Sequence, residues 1–98
     1  MVVTFHPEVD NDLEDAIFYY SNEASRELAI EFYAEFLRCV EIIGLRGNAF
    51  PDHRAPLKRI NFHRFPYHVL FEIISEEVVQ IVSVKHDRRH PLYGTDRV

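Results

Sequence analysis

Two apolar runs in the second half of the chain most restrict the folds open to it. Residues 67–74 read YHVLFEII and residues 78–85 read VVQIVSVK. Only Ser75, Glu76 and Glu77 separate them, a polar connection of the length that joins antiparallel strands. Both runs are rich in β-branched and aromatic residues, which favour strands. The sequence therefore predicts a β-hairpin whose second strand, nearly continuous in apolar residues, lies inside a sheet.

Two further strands are predicted on either side of a helical region. Residues 2–5 (VVTF) form a short β-branched and aromatic run that Pro7 ends. Residues 57–62 (LKRINF) form another, followed by a turn at residues 63–66, where Pro66 is acceptable at the start of the next strand. These runs and the hairpin give four strands.

The region between the first two strands carries helical periodicity. Asp10, Asn11 and Asp12 are N-cap candidates for a first helix, whose apolar residues recur at i, i+3, i+4 and i+7. A second helix is predicted from near Ser25 to the glycines at 44 and 47. Its buried stripe comprises Ala29, Phe32, Phe36, Val40 and Ile43. The short connection predicts an antiparallel helix hairpin.

These elements predict an α+β fold in the order β-α-α-β-β-β, with residues 1–98 forming one domain. The helix hairpin packs on one face of a mainly antiparallel four-stranded sheet. The other face then holds the polar members of the strands and is free to carry function. Its predicted members are Lys58 or Arg59, Asn61, His68, Glu72 and Gln80.

Composition narrows the class of protein. No stretch approaches the roughly 18 apolar residues of a membrane span, and the first ten residues lack the pattern of a secretory signal. We therefore expect a cytoplasmic protein without membrane contact. Cys39 is the single cysteine. Residues 1–50 carry a net charge of −7 and residues 51–98 a net charge of +2, so an anionic partner would meet the second half.

The ensemble of motifs resembles a known family over almost the whole chain. These are the Leu13-x-x-Ala16-x-x-Tyr19-Tyr20 segment of the first helix, the long second helix, the FPYHVLFEI strand, and a closing VxVxHxRRxP at residues 82–91. They resemble the RelE/ParE toxins of type II toxin–antitoxin systems, which include plasmid stabilisation proteins. The resemblance implies a toxin that a cognate antitoxin neutralises in a heterodimer or heterotetramer, with no cofactor.

The family divides by mechanism, which a shared fold does not decide. RelE-like members cleave mRNA on the ribosome without a metal. That chemistry needs a base for the ribose 2′-OH, cations for the phosphate and an acid for the leaving oxygen. Position by position, the resemblance assigns such catalytic roles to Arg59, His68, Arg89 and Tyr93, if the protein is RelE-like.

ParE-like members instead inhibit DNA gyrase by binding, and several residues favour this branch. Asn61 stands where relatives carry a lysine, Asp87 falls near the position of a catalytic arginine, and the chain has only two lysines. We therefore predict a ParE-like growth inhibitor, with the RelE-like endonuclease as the alternative. The residues predicted to contact the target or antitoxin are Lys58, Arg64, His86, Arg88 and Arg89.

A metal site is the less favoured interpretation of the histidines near the end of the chain. His86 and His90 are four residues apart, but Pro91 and the preceding strand argue against a helix there. No third ligand with a recognisable spacing follows. We therefore predict no metal.

Overall fold

The computed structural model describes all residues, 1–98. Two helices and five strands follow one another along the chain, with short 3₁₀ turns at Gly47–Ala49 and Thr95–Arg97. In order, the main elements are β1 (Val2–Phe5), α1 (Val9–Glu23), α2 (Arg26–Arg46), β2 (Asp52–Arg54), β3 (Leu57–Asn61), β4 (Tyr67–Ile73) and β5 (Val78–His86). The α+β class and the β-α-α-β-β-β order of the predicted elements are confirmed.

The strands form one sheet in the order β1-β5-β4-β3-β2. β1 runs parallel to β5, and the other three pairings are antiparallel. The predicted count of four strands is corrected to five. The additional strand, β2, has only three residues, all polar and exposed, and its pairing with β3 is irregular. It therefore lacks the apolar alternation by which a strand is recognised in a sequence.

The helix boundaries follow from local chemistry. The Ser25 side chain accepts a hydrogen bond of 3.1 Å from the Leu28 amide, so α2 begins with a serine N-cap. α1 begins at Val9, before the predicted N-cap residues, and Glu8 provides no side-chain cap. Asp12 consequently lies within the first turns of α1, and its carboxylate is free for other contacts.

One face of the sheet packs against both helices and holds the main core. Phe32 of α2 lies at its centre, completely buried, with its ring centroid 4.8 Å from that of Tyr67 and 5.0 Å from that of Phe62. Tyr20 of α1 joins this group at 5.4 Å from Phe32. Aromatic pairs at such distances add to the stabilisation by apolar burial, so these rings fix the helix hairpin on the sheet.

The other face carries the predicted polar residues, and of the alternatives Lys58 and Arg59 it carries Arg59. Asn61 pairs with His68 across β3 and β4, and Glu72 pairs with Gln80 across β4 and β5. Lys58 pairs with Phe71, a core residue, and so lies on the helix side because side chains alternate along a strand. A small apolar cluster of Leu57, Leu70 and Val82 separates the polar residues of this open face into two groups.

Residues 87–98 fold back along β5, past the point where β1 ends. Asp12 fills the vacant edge of β5 there, because its Oδ2 accepts hydrogen bonds from the Val84 amide at 3.0 Å and from Arg97 Nη1 at 2.7 Å. Its Oδ1 accepts from the Tyr93 hydroxyl at 2.9 Å and from Arg97 Nη2 at 3.2 Å. We call Asp12, Val84, Tyr93 and Arg97 the Asp12 cluster. It satisfies a strand edge that would otherwise be unpaired.

Gly94 allows the C-terminal segment to make its last turn. Its φ of +77° lies in the left-handed region, and an added Cβ would come within 3.0 Å of Ser83 Cβ. Glycine is the residue that adopts this conformation without strain. Neither α1 nor α2 combines the length and apolar character needed to cross a membrane.

Candidate functional site

A polar cavity of about 240 Å³ lies on the open face, where β3, β4 and β5 meet β2 and the C-terminal segment. No hydrophobic residue lines it. We call it the polar cavity. The residues around it are His53, Arg54, Arg59, His68, Lys85, Asp87, Arg89 and Pro91. Three of the four residues predicted as catalytic, Arg59, His68 and Arg89, are thus brought together.

Asp87 is the one carboxylate in this cavity, and it holds two of the predicted residues. Its Oδ1 lies 2.7 Å from His68 Nδ1 and 3.3 Å from Arg59 Nη2. Arg59 Nε also donates to Asn61 Oδ1 at 2.7 Å. Asp87 therefore fixes the orientation of the imidazole and offsets part of the positive charge of the open face.

His68 is only 2% exposed, although it belongs to the polar set of the open face. Burial lowers its pKa below the ordinary value of 6.5, and Arg59 and Lys85 lower it further, while the hydrogen bond to Asp87 acts in the opposite direction. The ring is therefore mainly neutral at neutral pH. Its Nε2 has no hydrogen-bond partner.

Lys85 is 5% exposed and uses its ammonium group within the protein. Nζ donates to the carbonyl oxygens of Pro91 at 2.9 Å and Tyr93 at 3.0 Å. These contacts attach the C-terminal segment to β5. Burial and the surrounding arginines lower the pKa of Lys85.

The remaining cations of the polar cavity have no carboxylate partner. Arg54 and Arg89 take part in none of the ion pairs of the structure. The Arg89 guanidinium stacks 3.9 Å from the centroid of the Tyr93 ring, which orients it without using its donors. Both side chains are therefore available to an anion.

Tyr93, the fourth predicted catalytic residue, lies outside the polar cavity. It lines a neighbouring space of about 170 Å³ between the C-terminal segment and α1, together with Arg89, His86 and Asp15. Burial and the hydrogen bond to Asp12 raise the pKa of its hydroxyl. The proton of this hydroxyl is donated to Asp12 and stays within the Asp12 cluster.

The predicted contact residues are dispersed. Lys58 donates to the Phe50 carbonyl and to Asp52, and so ties β3 to the segment after α2. Arg64 pairs with Glu31 on the helix side. His86 Nδ1 accepts the Arg88 amide at 3.0 Å and its ring packs edge-on against Tyr67. Arg88 is exposed and has no ion-pair partner.

The sequence did not single out Asp12 and Arg97 as partners, nor His53 and Arg54 as cavity residues. Asp12 and Arg97 are 85 positions apart, and nothing in either local pattern links them. His53 and Arg54 belong to the strand that was not predicted. Of the residues that the sequence analysis did not name, only Lys85 had a recognisable pattern, because it is a lysine at the end of an otherwise apolar central strand.

A second candidate surface lies on the outside of the helix hairpin, where a groove of about 300 Å³ runs between α1 and α2. Exposed apolar side chains border it or adjoin it. Exposure reaches 72% for Phe18, 58% for Ile30, 44% for Tyr33 and 47% for Leu37. We call these four residues the hairpin patch. Ile30 and Tyr33 line the groove itself, and several large apolar side chains exposed on one helix pair are typical of a protein interface.

No group of three or more His, Cys, Asp or Glu side chains is placed to hold a metal ion. The imidazole Nδ1 atoms of His86 and His90 instead accept hydrogen bonds from the protein, each from the backbone amide two residues further along the chain.

Comparison with known proteins decides the family. A family model described as the ParE toxin of the type II toxin–antitoxin system parDE matches residues 3–91. The chain belongs to the ParE toxin family. A search of curated proteins finds no match.

A solved structure supports the fold of this ParE family member. The chromosomal ParDE TA system from P. aeruginosa contains a chain that is 16% identical, with a TM-score of 0.76, over 88% of this chain and 95% of that one. At this identity the likeness shows the fold. The predicted RelE/ParE resemblance is confirmed, and the protein is a ParE-family toxin of a type II system.

Proposed function

We propose that this toxin inhibits DNA gyrase by binding in the cytoplasm, and that a cognate antitoxin neutralises it. The observation that carries the choice of mechanism is the position of Asp87. A carboxylate 2.7 Å from His68 and 3.3 Å from Arg59 adds negative charge where RNA cleavage would require stabilisation of a phosphorane. Arg59 and His68 therefore form their hydrogen bonds with Asp87 of the same protein.

The other groups that nuclease chemistry would need are also engaged. The Tyr93 hydroxyl, the candidate acid, donates to Asp12 at 2.9 Å. The ammonium groups of Lys58 and Lys85 are directed to backbone carbonyls. The RelE-like alternative keeps one supporting observation, since a mainly neutral His68 has the protonation state of a general base.

The hairpin patch supports the proposed antitoxin partner. An amphipathic helix that places its apolar side chains at i, i+3, i+4 and i+7 would cover Phe18, Ile30, Tyr33 and Leu37 and fill the groove between α1 and α2. The target is proposed to meet the C-terminal segment, where Arg88 and Arg89 are exposed.

Two activity assays test the mechanism. Purified toxin is added to gyrase with relaxed plasmid, and separately to ribosomes translating a defined mRNA. We expect loss of supercoiling without codon-positioned cuts, and weaker inhibition by Arg88→Ala combined with Arg89→Ala. Cuts that disappear in His68→Ala and Tyr93→Phe would establish the RelE-like alternative instead.

The antitoxin surface has a separate test. Co-expression with the neighbouring small gene is expected to give a stable heterodimer or heterotetramer and to restore growth. Phe18→Asp and Ile30→Asp are expected to weaken that complex, while Leu45→Asp, at an apolar position of α2 that is 77% exposed, serves as the control. If Leu45→Asp weakens the complex as much, the proposed interface at the hairpin patch is wrong.

A further inference from the structure

We propose that the polar cavity binds a dianionic phosphate group, as inorganic phosphate or as a phosphate monoester. This inference does not depend on gyrase being the target, because it rests on the cavity alone. Three features carry it, namely the balance of charge, the unused hydrogen-bond donors and the size of the space.

The charge of the cavity is unbalanced. Four cations line it, Arg54, Arg59, Lys85 and Arg89, against the single carboxylate of Asp87. Burial is the largest cause of the lowered pKa of His53, and the charges of Arg59, Arg54 and Lys85 lower it further. Burial also lowers the pKa of His68, where the hydrogen bond to Asp87 opposes the shift and Arg59 and Lys85 add to it. A bound anion of two charges would offset most of this excess.

The donors of the cavity point to the class of ligand. His68 is nearly completely buried and its Nε2 has less than 1 Å² of accessible surface. The free hydrogen-bond donors of the cavity are therefore those of its arginines. The guanidinium groups of Arg54 and Arg89 have no carboxylate partner. Guanidinium groups match the geometry of phosphate oxygens.

The space and the charge together favour a phosphate with two charges over a phosphodiester. A volume of about 240 Å³ is several times the roughly 30 Å³ that one water occupies in the liquid, so a tetrahedral oxyanion fits with some hydration. A diester carries one charge and would leave more of the positive excess uncompensated.

Calorimetry on the isolated full-length toxin tests the proposal, with inorganic phosphate, adenosine 5′-monophosphate and dimethyl phosphate as probes in a phosphate-free buffer. We expect the first two to bind and dimethyl phosphate to bind at least about tenfold more weakly, a difference of about 1.4 kcal/mol. Arg54→Gln and Arg89→Gln should each weaken phosphate binding about tenfold, as expected for a hydrogen bond between charged groups.

Two further variants sharpen the test. Arg46→Gln makes the same change of charge at the end of α2, outside the cavity, and should leave phosphate binding unchanged. Asp87→Asn removes the internal carboxylate and should tighten binding several-fold. Absence of heat up to about 10 mM phosphate excludes a millimolar site and overturns the proposal. Equal weakening by Arg46→Gln also overturns it, since the effect would then be one of net charge.

The titration of His68, followed by nitrogen chemical shifts of the imidazole ring, reports on the cavity directly. Sulfate keeps two charges across the range and is therefore the probe. We expect it to raise the pKa of His68, which lines the cavity. A toxin that binds phosphate but leaves gyrase unaffected would refute only the proposed target, and the reverse result would refute only this site.

Discussion

Replacing Arg97 by methionine tests whether the Asp12 cluster holds the C-terminal segment in place. The Arg97 and Asp12 side chains are 10% and 1% exposed, and Arg97 Nη1 lies 2.7 Å from Asp12 Oδ2. Arg97 also donates to the Val82 carbonyl at 3.2 Å. Methionine keeps most of the apolar length of arginine but leaves the buried carboxylate without its cation.

Breaking a buried ion pair by removal of one partner costs about 3–5 kcal/mol. Two features reduce that figure here. Asp12 keeps its hydrogen bonds from Tyr93 and from the Val84 amide, and the end of the chain can move away so that water reaches the carboxylate. We therefore expect Arg97→Met to lower the free energy of unfolding by about 2–3 kcal/mol, which lowers Tm by roughly 10–20 °C for a domain of this size.

Urea unfolding followed by circular dichroism measures the loss, and amide hydrogen exchange at Val84 locates it. Arg88→Met is the matched control, because Arg88 is exposed and has no ion-pair partner, and should change stability by less than about 0.5 kcal/mol. Adding Arg97→Met to Asp12→Asn should cost less than it does alone. A loss for Arg97→Met no larger than for Arg88→Met, with Val84 still protected, would refute the reasoning.

Three other predictions concern stability. Because the pKa of folded His68 lies below 6.5, the unfolded chain binds more protons and stability should fall as pH drops through about 6.5; equilibrium urea unfolding at successive pH values should show a shallower fall for His68→Gln, and an equal fall would remove His68 as a cause. Ser25→Ala should cost about 1 kcal/mol by loss of the cap on Leu28, whereas Ser25→Asp should retain most of it in the same unfolding assay. Gly94→Ala should cost more than about 1 kcal/mol, because its φ is +77° and the new Cβ would lie 3.0 Å from Ser83 Cβ; a thermal shift no larger than for Ala24→Gly would contradict this.

The main elements could be predicted because their patterns are local. The predicted strands at residues 67–74 and 78–85 correspond to β4 (Tyr67–Ile73) and β5 (Val78–His86), and each differs by one residue at its C-terminal end. β2 could not be predicted in this way. Its residues, DHR, are polar and exposed, and its pairing with β3 comes from the sheet rather than from its own composition.

The candidate site was predictable only in part, because its geometry depends on contacts between distant residues. Arg59, His68 and Arg89 were named from the resemblance, and the polar cavity contains all three. Lys58 was predicted as an alternative to Arg59 on the open face, and register places that lysine opposite Phe71 on the helix side. A strand residue of uncertain register changes face with a shift of one position, so a sequence alone left Lys58 and Arg59 as alternatives.

The parallel pairing of β1 with β5 also determines how the molecule responds to mechanical force. Val2 faces Val78 and Phe5 faces Ile81, so the two strands run in the same direction from opposite ends of the sequence. A pull on the first and last residues of the chain would, once the C-terminal segment is released, slide these strands past each other and load their hydrogen bonds together rather than one at a time. We expect forced extension to release the C-terminal segment first, at low force, and to meet its main resistance at the β1–β5 pair, where the rate of unfolding decides the outcome.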